Sequence, residues 1–201
     1  MILCNGQAPP RPLFTEIFQW ADLFIAADGG GNTARSLGTL PDYVIGDLDS
    51  FESQKDENID LLHKPDQNSN DLEKALQFAC EQGGTHIRVL GATGRRLDHT
   101  LKNLSVLKQF NNQFQKLLFM DAYGKIQLLP RNFSREIPPE TTVSLFPLSG
   151  KVTGIITEGL QFPLDDEVLE NGIRDGSSNK VVATPVSITY KEGDLLLFIA
   201  K

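Results

Sequence analysis

In the first half of the chain, short β-branched or apolar runs alternate with helix-patterned segments, which restricts it to βαβ units on a mostly parallel sheet. Strands are predicted over residues 2–4, 23–27, 43–45 and 86–90. A helix is predicted over 71–82. Leu72, Leu76 and Ala79 share one face, Asn70 and Glu73 have the spacing of a capping box, and Gly83-Gly84 ends the pattern. A second helix follows Asp98, with Leu97, Leu101, Leu104 and Leu107 along one side. From about Leu117 the texture changes to short strands punctuated by Gly, Pro and Asn, over 117–120, 126–129, 142–146, 181–190 and 195–199. Lys191-Glu-Gly-Asp reads as a hairpin turn before the last of them. The expectation is an α/β fold: a mostly parallel-sheet domain over 1–122, then an antiparallel β-sandwich over 123–201.

Composition narrows the function classes. A net charge of −7 disfavours a broad nucleic-acid surface, which needs clustered Lys and Arg. No apolar stretch is long enough to span a bilayer, and the N-terminus lacks the pattern of a secretory signal, so the expected location is cytoplasmic, with no membrane partner. Cys4 and Cys80 have no CxxC or His-rich neighbourhood and read as free thiols.

The acidic residues carry the chemistry. Asp28, Asp47, Asp49 and Asp98 follow predicted strands, and Asp71 opens a helix after a polar loop; open α/β sheets place their ligands at such strand ends. If residues 46–49 stay extended, Asp47 and Asp49 point the same way about 7 Å apart, with Leu48 turned away. Several carboxylates in one cleft repel one another unless a hard cation joins them, and magnesium takes a few carboxylates plus water and phosphate oxygens. Gly29-Gly30-Gly31 and Gly91-Ala-Thr-Gly94 are turns able to bring backbone N–H groups to phosphate, with Arg95, Arg96 and His99 beside the second. Neither is a Walker loop or a GxGxxG fingerprint. A magnesium-dependent enzyme acting on a nucleotide polyphosphate is expected; a phosphohydrolase or nucleotidyl transferase, or a non-catalytic sensor that binds magnesium-nucleotide, could use the same Asp set.

Ala27-Asp-Gly-Gly30, Pro41-Asp-Tyr-Val-Ile-Gly-Asp-Leu-Asp-Ser50, Pro65-Asp-Gln67, Asn70-Asp-Leu-Glu-Lys-Ala75 and Gly91-Ala-Thr-Gly-Arg-Arg-Leu-Asp-His99 together resemble the thiamine pyrophosphokinase family. Gly159-Leu-Gln-Phe-Pro-Leu164 and Gly176-Ser-Ser-Asn179 are similar to its C-terminal segments, so the resemblance covers nearly the whole chain. It implies a homodimer with active sites at the subunit interface, and transfer of pyrophosphate from ATP to thiamine, giving thiamine diphosphate and AMP. It also implies magnesium held by Asp47, Asp49 and Asp71, and ATP contacts from Asp28, Gly29, Gly30, Gln67, Asn70, Thr93, Gly94, Arg96 and His99. Catalytic roles fall to Asp71, Arg96 and Asp98, and thiamine contacts to Ser178 and Asn179. Arg95 stands where the family often has Gly, and Phe162 where it commonly has Tyr.

Overall fold

A computed structural model describes residues 1–55 and 57–201. The chain divides into two compact units, Met1–Ala122 and Tyr123–Lys201.

The first unit runs β1 (Ile2–Leu3), α1 (Arg11–Phe18), β2 (Ile25–Ala27), α2 (Gly30–Ser36), β3 (Tyr43–Gly46), β4 (Asp60–His63), α3 (Asp71–Glu81), β5 (His86–Leu90), α4 (Leu97–Phe110) and β6 (Lys116–Met120). Its strands lie in the order β6-β5-β1-β2-β3-β4, and every neighbouring pair is parallel. The strands are nearly all apolar and buried because helices cover them. Leu13, Phe14 and Ile17 of α1 pack on Leu3, Leu90, Leu118 and Met120. Strand β6 has the short-strand texture of the second half, and its parallel pairing to β5 joins it to the first sheet, within the 1–122 bounds expected for that domain. Strand β4, announced only by Leu61-Leu62 after Ile59, is not among the predicted strands. Among the described residues it is an exposed edge strand, paired only with β3.

Helix α3 starts where its capping box predicts. The Asn70 side chain accepts from the Glu73 N–H at 2.9 Å, and Glu73 accepts from the Asn70 N–H at 3.0 Å. Gly83, at φ +76°, ends the turn after it. Helix α4 departs from expectation. Leu97 and Leu101 are exposed, while Asn103, Val106, Leu107 and Phe110 form the buried face. The leucine spacing drifts around the helix, so only Leu107 of the buried face belongs to it, and hydrogen bonds to neighbouring segments let Asn103 take an inward position.

The second unit is a β-sandwich of β7 (Gly124–Leu128), β8 (Asn132–Arg135), β9 (Thr142–Pro147), β10 (Lys151–Glu158), β11 (Glu167–Glu170), β12 (Gly176–Lys180), β13 (Val186–Thr189) and β14 (Leu195–Ala200). One sheet has the order β12-β9-β14-β7 and the other β11-β10-β13-β8, all antiparallel. Val143, Leu145, Leu195 and Leu197 of the first meet Val152, Ile155, Leu169, Val186 and Ile188 of the second in one core. The strand predicted over 181–190 is shorter, because Pro185 has no N–H for a ladder and β13 begins only at Val186. Nor is Lys191-Glu-Gly-Asp a hairpin. It carries the chain from one sheet to the other, its Glu192 and Asp194 carbonyls accepting from the Thr153 and Leu148 N–H groups.

Candidate active site

In the first unit the chain runs outward from β1 through β2 and β3 to β4, then returns to place β5 on the other side of β1. Such a reversal opens a crevice beyond the carboxyl ends of the two central strands, where α/β sheets receive ligands. Here the crevice encloses about 440 Å³ and is walled by Asn5 and Gly6 after β1, by the loop after β5, and by Asp28, Asp47, Asp49, Asp71, Arg96 and His99. The two loops are stitched together. Gly6 and Gln7 donate backbone N–H groups to the Gly91 and Thr93 carbonyls at 2.8 Å each. A Cβ on Gly6 would fall 2.3 Å from the Gly91 oxygen, so this approach requires glycine.

Three carboxylates converge. Asp28, Asp47 and Asp71 each present an oxygen, and these lie within 4.8 Å of one another. They come from the end of β2, the end of β3 and the start of α3, and they meet over Gly46. A Cβ there would stand 2.9 Å from the Asp28 Cβ and 3.0 Å from Asp71 Oδ1. Asp49 is not in this trio, and the backbone explains why. Leu48 adopts φ +62°, so residues 46–49 are not extended; the chain turns, and the Asp49 N–H donates to Asp47 Oδ1 at 3.3 Å. A leucine in the left-handed region costs about 1 kcal/mol. Asp49 lines the same crevice at its exposed side, accepting from Ser50 Oγ at 2.9 Å.

The trio is electrostatically unbalanced on its own. Asp28 is only 5% exposed, and among the described residues its Oδ1 has no hydrogen-bond partner. A buried unpaired carboxylate oxygen is costly, and two more carboxylates beside it add repulsion. Burial pushes the Asp71 carboxyl above its ordinary range; Lys74 opposes the rise, and Asp28 and Asp47 add to it. Asp47 moves the other way. The Gln67 amide, 3.3 Å from Asp47 Oδ2, and the Asp49 N–H hold it below the usual carboxylate range. An all-oxygen donor set with an orphaned oxygen suits a hard divalent cation. Cys4 also lines the crevice, but burial pushes its thiol up to about 12, with Asp71 adding to the shift, so it stays protonated and offers no thiolate.

The other predicted residues divide. Gly94 lines the crevice at φ +78° with Arg96 and His99, and Asn70 lines it as well. Arg96 and Asp98 are exposed and pair with each other at 2.5 Å. Asp98 is held below its ordinary value by that guanidinium. Thr93 is not on the crevice wall; its hydroxyl donates to Asp121 at 2.9 Å. Gly29 and Gly30 are explained by packing, since a Cβ on either would strike the Asn5 side chain at 2.3 Å or the Leu3 carbonyl at 2.1 Å. In the second unit, Ser178 sits at φ +57° and donates its N–H to Ser144 Oγ. The Asn179 amide is engaged by backbone: Oδ1 accepts from Phe162 and Lys180, and Nδ2 donates to the Phe162 carbonyl at 2.7 Å.

Two contributors went unread in the sequence. Lys74, half-buried on α3, lies 3.2 Å from Asp71 Oδ1, three residues on and therefore on the same helix face. Asn5 accepts from the Arg95 guanidinium through both its carbonyl and its side chain, which ties Arg95, at φ +54°, across the crevice mouth. The Lys74 spacing was visible in Asn70-Asp-Leu-Glu-Lys-Ala75. Nothing local marked Asn5.

Comparison with known proteins agrees along the chain. A family model described as thiamin pyrophosphokinase, catalytic domain, matches residues 14–119, and one described as thiamin pyrophosphokinase, vitamin B1 binding domain, matches 131–195. Thiamine pyrophosphokinase 1 of Oryza sativa subsp. japonica is 32% identical over 212 residues, covering 90% of this chain and 79% of the relative. Thiamin pyrophosphokinase 1 of Caenorhabditis elegans is 29% identical over 188 residues, covering 87% and 76%. Among solved structures, thiamine pyrophosphokinase from Bacillus subtilis superposes with a TM-score of 0.84 at 23% identity, covering 100% of this chain and 97% of that one. The yeast thiamin pyrophosphokinase gives 0.85 at 20%, covering 100% and 85%. Two family models that together span most of the sequence, joined to a matching fold, establish that this chain belongs to the thiamin pyrophosphokinase family.

Proposed function

We propose that the protein is a magnesium-dependent thiamine diphosphokinase, which transfers pyrophosphate from ATP to the hydroxyl of thiamine and releases AMP. The observation that carries this reading is the trio Asp28, Asp47 and Asp71, with an unpartnered oxygen on Asp28, at the switch point of a sheet that matches this family. Asp28, Asp47 and Asp71 would hold the cation, with Asp49 at the exposed side of the same crevice. Bound there, magnesium supplies neutralising charge for polyphosphate oxygens.

The thiamine hydroxyl oxygen bonds to the β-phosphorus while the bond from that phosphorus to the oxygen bridging to the α-phosphate breaks. That oxygen leaves on AMP, and the hydroxyl proton is lost to a carboxylate or to water. Such transfers depend mainly on positioning and charge. Arg96 and His99 line the crevice wall where the polyphosphate would lie, and an Arg fork matches phosphate oxygens. Asp98, ion-paired and depressed, is a weak base.

In the second unit, Asn179 acts by fixing the Phe162 segment, which with Ser178 forms the thiamine side. The protein works as a homodimer in the cytoplasm. That location is compatible with its two free cysteines, and among the described residues no helix is long and apolar enough to cross a membrane.

Incubation with ATP, magnesium and thiamine, followed by identification of both products, tests the reading. AMP with thiamine diphosphate is expected; ADP or free inorganic pyrophosphate overturns it. Light scattering on the purified protein tests the dimer.

A further inference from the structure

Asn103 is a polar residue on the buried face of α4, only 8% exposed, and both ends of its amide are engaged. Its Nδ2 donates to the Ala92 carbonyl at 2.8 Å, and its Oδ1 accepts from Asn70 Nδ2 at 2.9 Å. Ala92 lies in the loop after β5 that walls the crevice, and Asn70 is the N-cap residue of α3, directly before Asp71. Asn70 also takes part in the capping box through Glu73, which is ion-paired to Lys102 of α4 at 2.7 Å. One amide on α4 therefore holds together the loop facing the polyphosphate and the helix start that presents a carboxylate of the trio.

We infer that Asn103, itself on the inner wall of the crevice, is a positioning residue for the phosphoryl-transfer site: its two amide hydrogen bonds set the register between the 91–94 loop and Asp71. A helix start and a glycine loop each have their own local geometry, and the Asn103 amide joins one to the other. A leucine at 103 would suit the buried helix face, yet it would leave the Ala92 carbonyl and the Asn70 amide without these partners. Residues that orient ligand-bearing groups in this way typically change metal affinity or activity by about 10–100-fold when replaced.

The inference rests on the proposed activity, so its test has an arm that needs no turnover. Manganese affinity and thermal midpoint are measured on the purified protein alongside kcat and each KM. Asn103→Leu removes both bonds. Asn103→Asp keeps the acceptor for Asn70 and removes the donor to Ala92. Asn70→Ser keeps a capping oxygen for the helix but removes the donor to Asn103. Expected results are kcat down about tenfold or more in Asn103→Leu, manganese affinity weakened in Asn103→Leu and Asn70→Ser, and the KM for ATP raised most in Asn103→Asp. The KM for thiamine should stay within about twofold of the original protein. Ser105→Ala, an exposed change on the same helix, should alter none of these.

A lowered thermal midpoint with unchanged manganese affinity, kcat and KM below that midpoint would show Asn103 to be structural only and overturn the inference. Equal rises in both KM values would overturn it as well. If Asn103→Leu does not fold, the two single-bond variants decide the question. If the original protein makes no thiamine diphosphate, the proposed activity fails, while the manganese measurements still decide whether Asn103 positions the trio.

Discussion

The crevice of the first unit and the Ser178–Asn179 region of the second both concentrate polar side chains, but they treat them in opposite ways. Around Asn179 the amide is engaged on both sides by backbone, and the residue is a local brace. Around Asp28 a buried oxygen has no partner among the described residues, and two further carboxylates stand beside it. A folded chain tolerates such an arrangement where a ligand completes it, so the contrast separates polar groups that maintain the fold from those that await a reactant.

The largest effect should come from the crevice. Asp47→Asn and Asp71→Asn should each lower kcat/KM by at least about a hundredfold, with circular dichroism unchanged. Asp49→Asn should cost less, because Leu48 turns it out of the trio. Steady-state kinetics on the three variants decide this, and equal losses in all three would erase the distinction between trio and rim.

Asp28→Asn should separate stability from activity. Replacing a buried carboxylate whose Oδ1 has no partner among the described residues should raise metal-free stability by about 1 kcal/mol, while abolishing the stabilisation that magnesium gives the original protein. Asn suits the position, since Asp28 sits at φ +44°. Thermal melts with and without magnesium measure both quantities, and a destabilised metal-free variant would mean that Asp28 has an essential partner.

Asn179→Ala should do the reverse. It leaves the Phe162 N–H and carbonyl without their partner, costing about 2 kcal/mol in denaturant melts. The KM for thiamine should rise more than that for ATP. Equal rises would place its influence beyond the Phe162 segment.

The smallest effect is on pH dependence. Because the folded-state value of Asp71 lies above the unfolded one, the folded protein binds that proton more tightly, and metal-free stability falls as pH rises through the interval. Lys74 restrains the rise, so Lys74→Met should move the acid limb of manganese binding to higher pH. A limb that stays in place would assign it to another group.

What could be read in the sequence was what is local. The capping box of Asn70 and Glu73 spans three residues, and its hydrogen bonds form as the spacing implies. The run His86–Leu90 is a strand to the residue. The parallel sheet and the sandwich were legible from the change in texture around residue 117. The crevice was half legible: the acids at strand ends were visible, but which three converge was not. The turn at Leu48 pulls Asp49 aside, and no extended-chain argument contains that conformation. Asn5 meets Arg95 across ninety positions of sequence. The leucines of α4 misdirected the reading of its buried face, because the inward position of Asn103 depends on a loop and a helix cap elsewhere in the chain.

Gly46 gives the crevice a property that charge alone does not. Its missing methyl is the floor on which two acids rest, so Gly46→Ala would crowd them apart while leaving every formal charge in place. Shape and charge at this centre can therefore be altered one at a time, and a protein silenced by shape alone would be the proper reference for measuring what the acids contribute as charges.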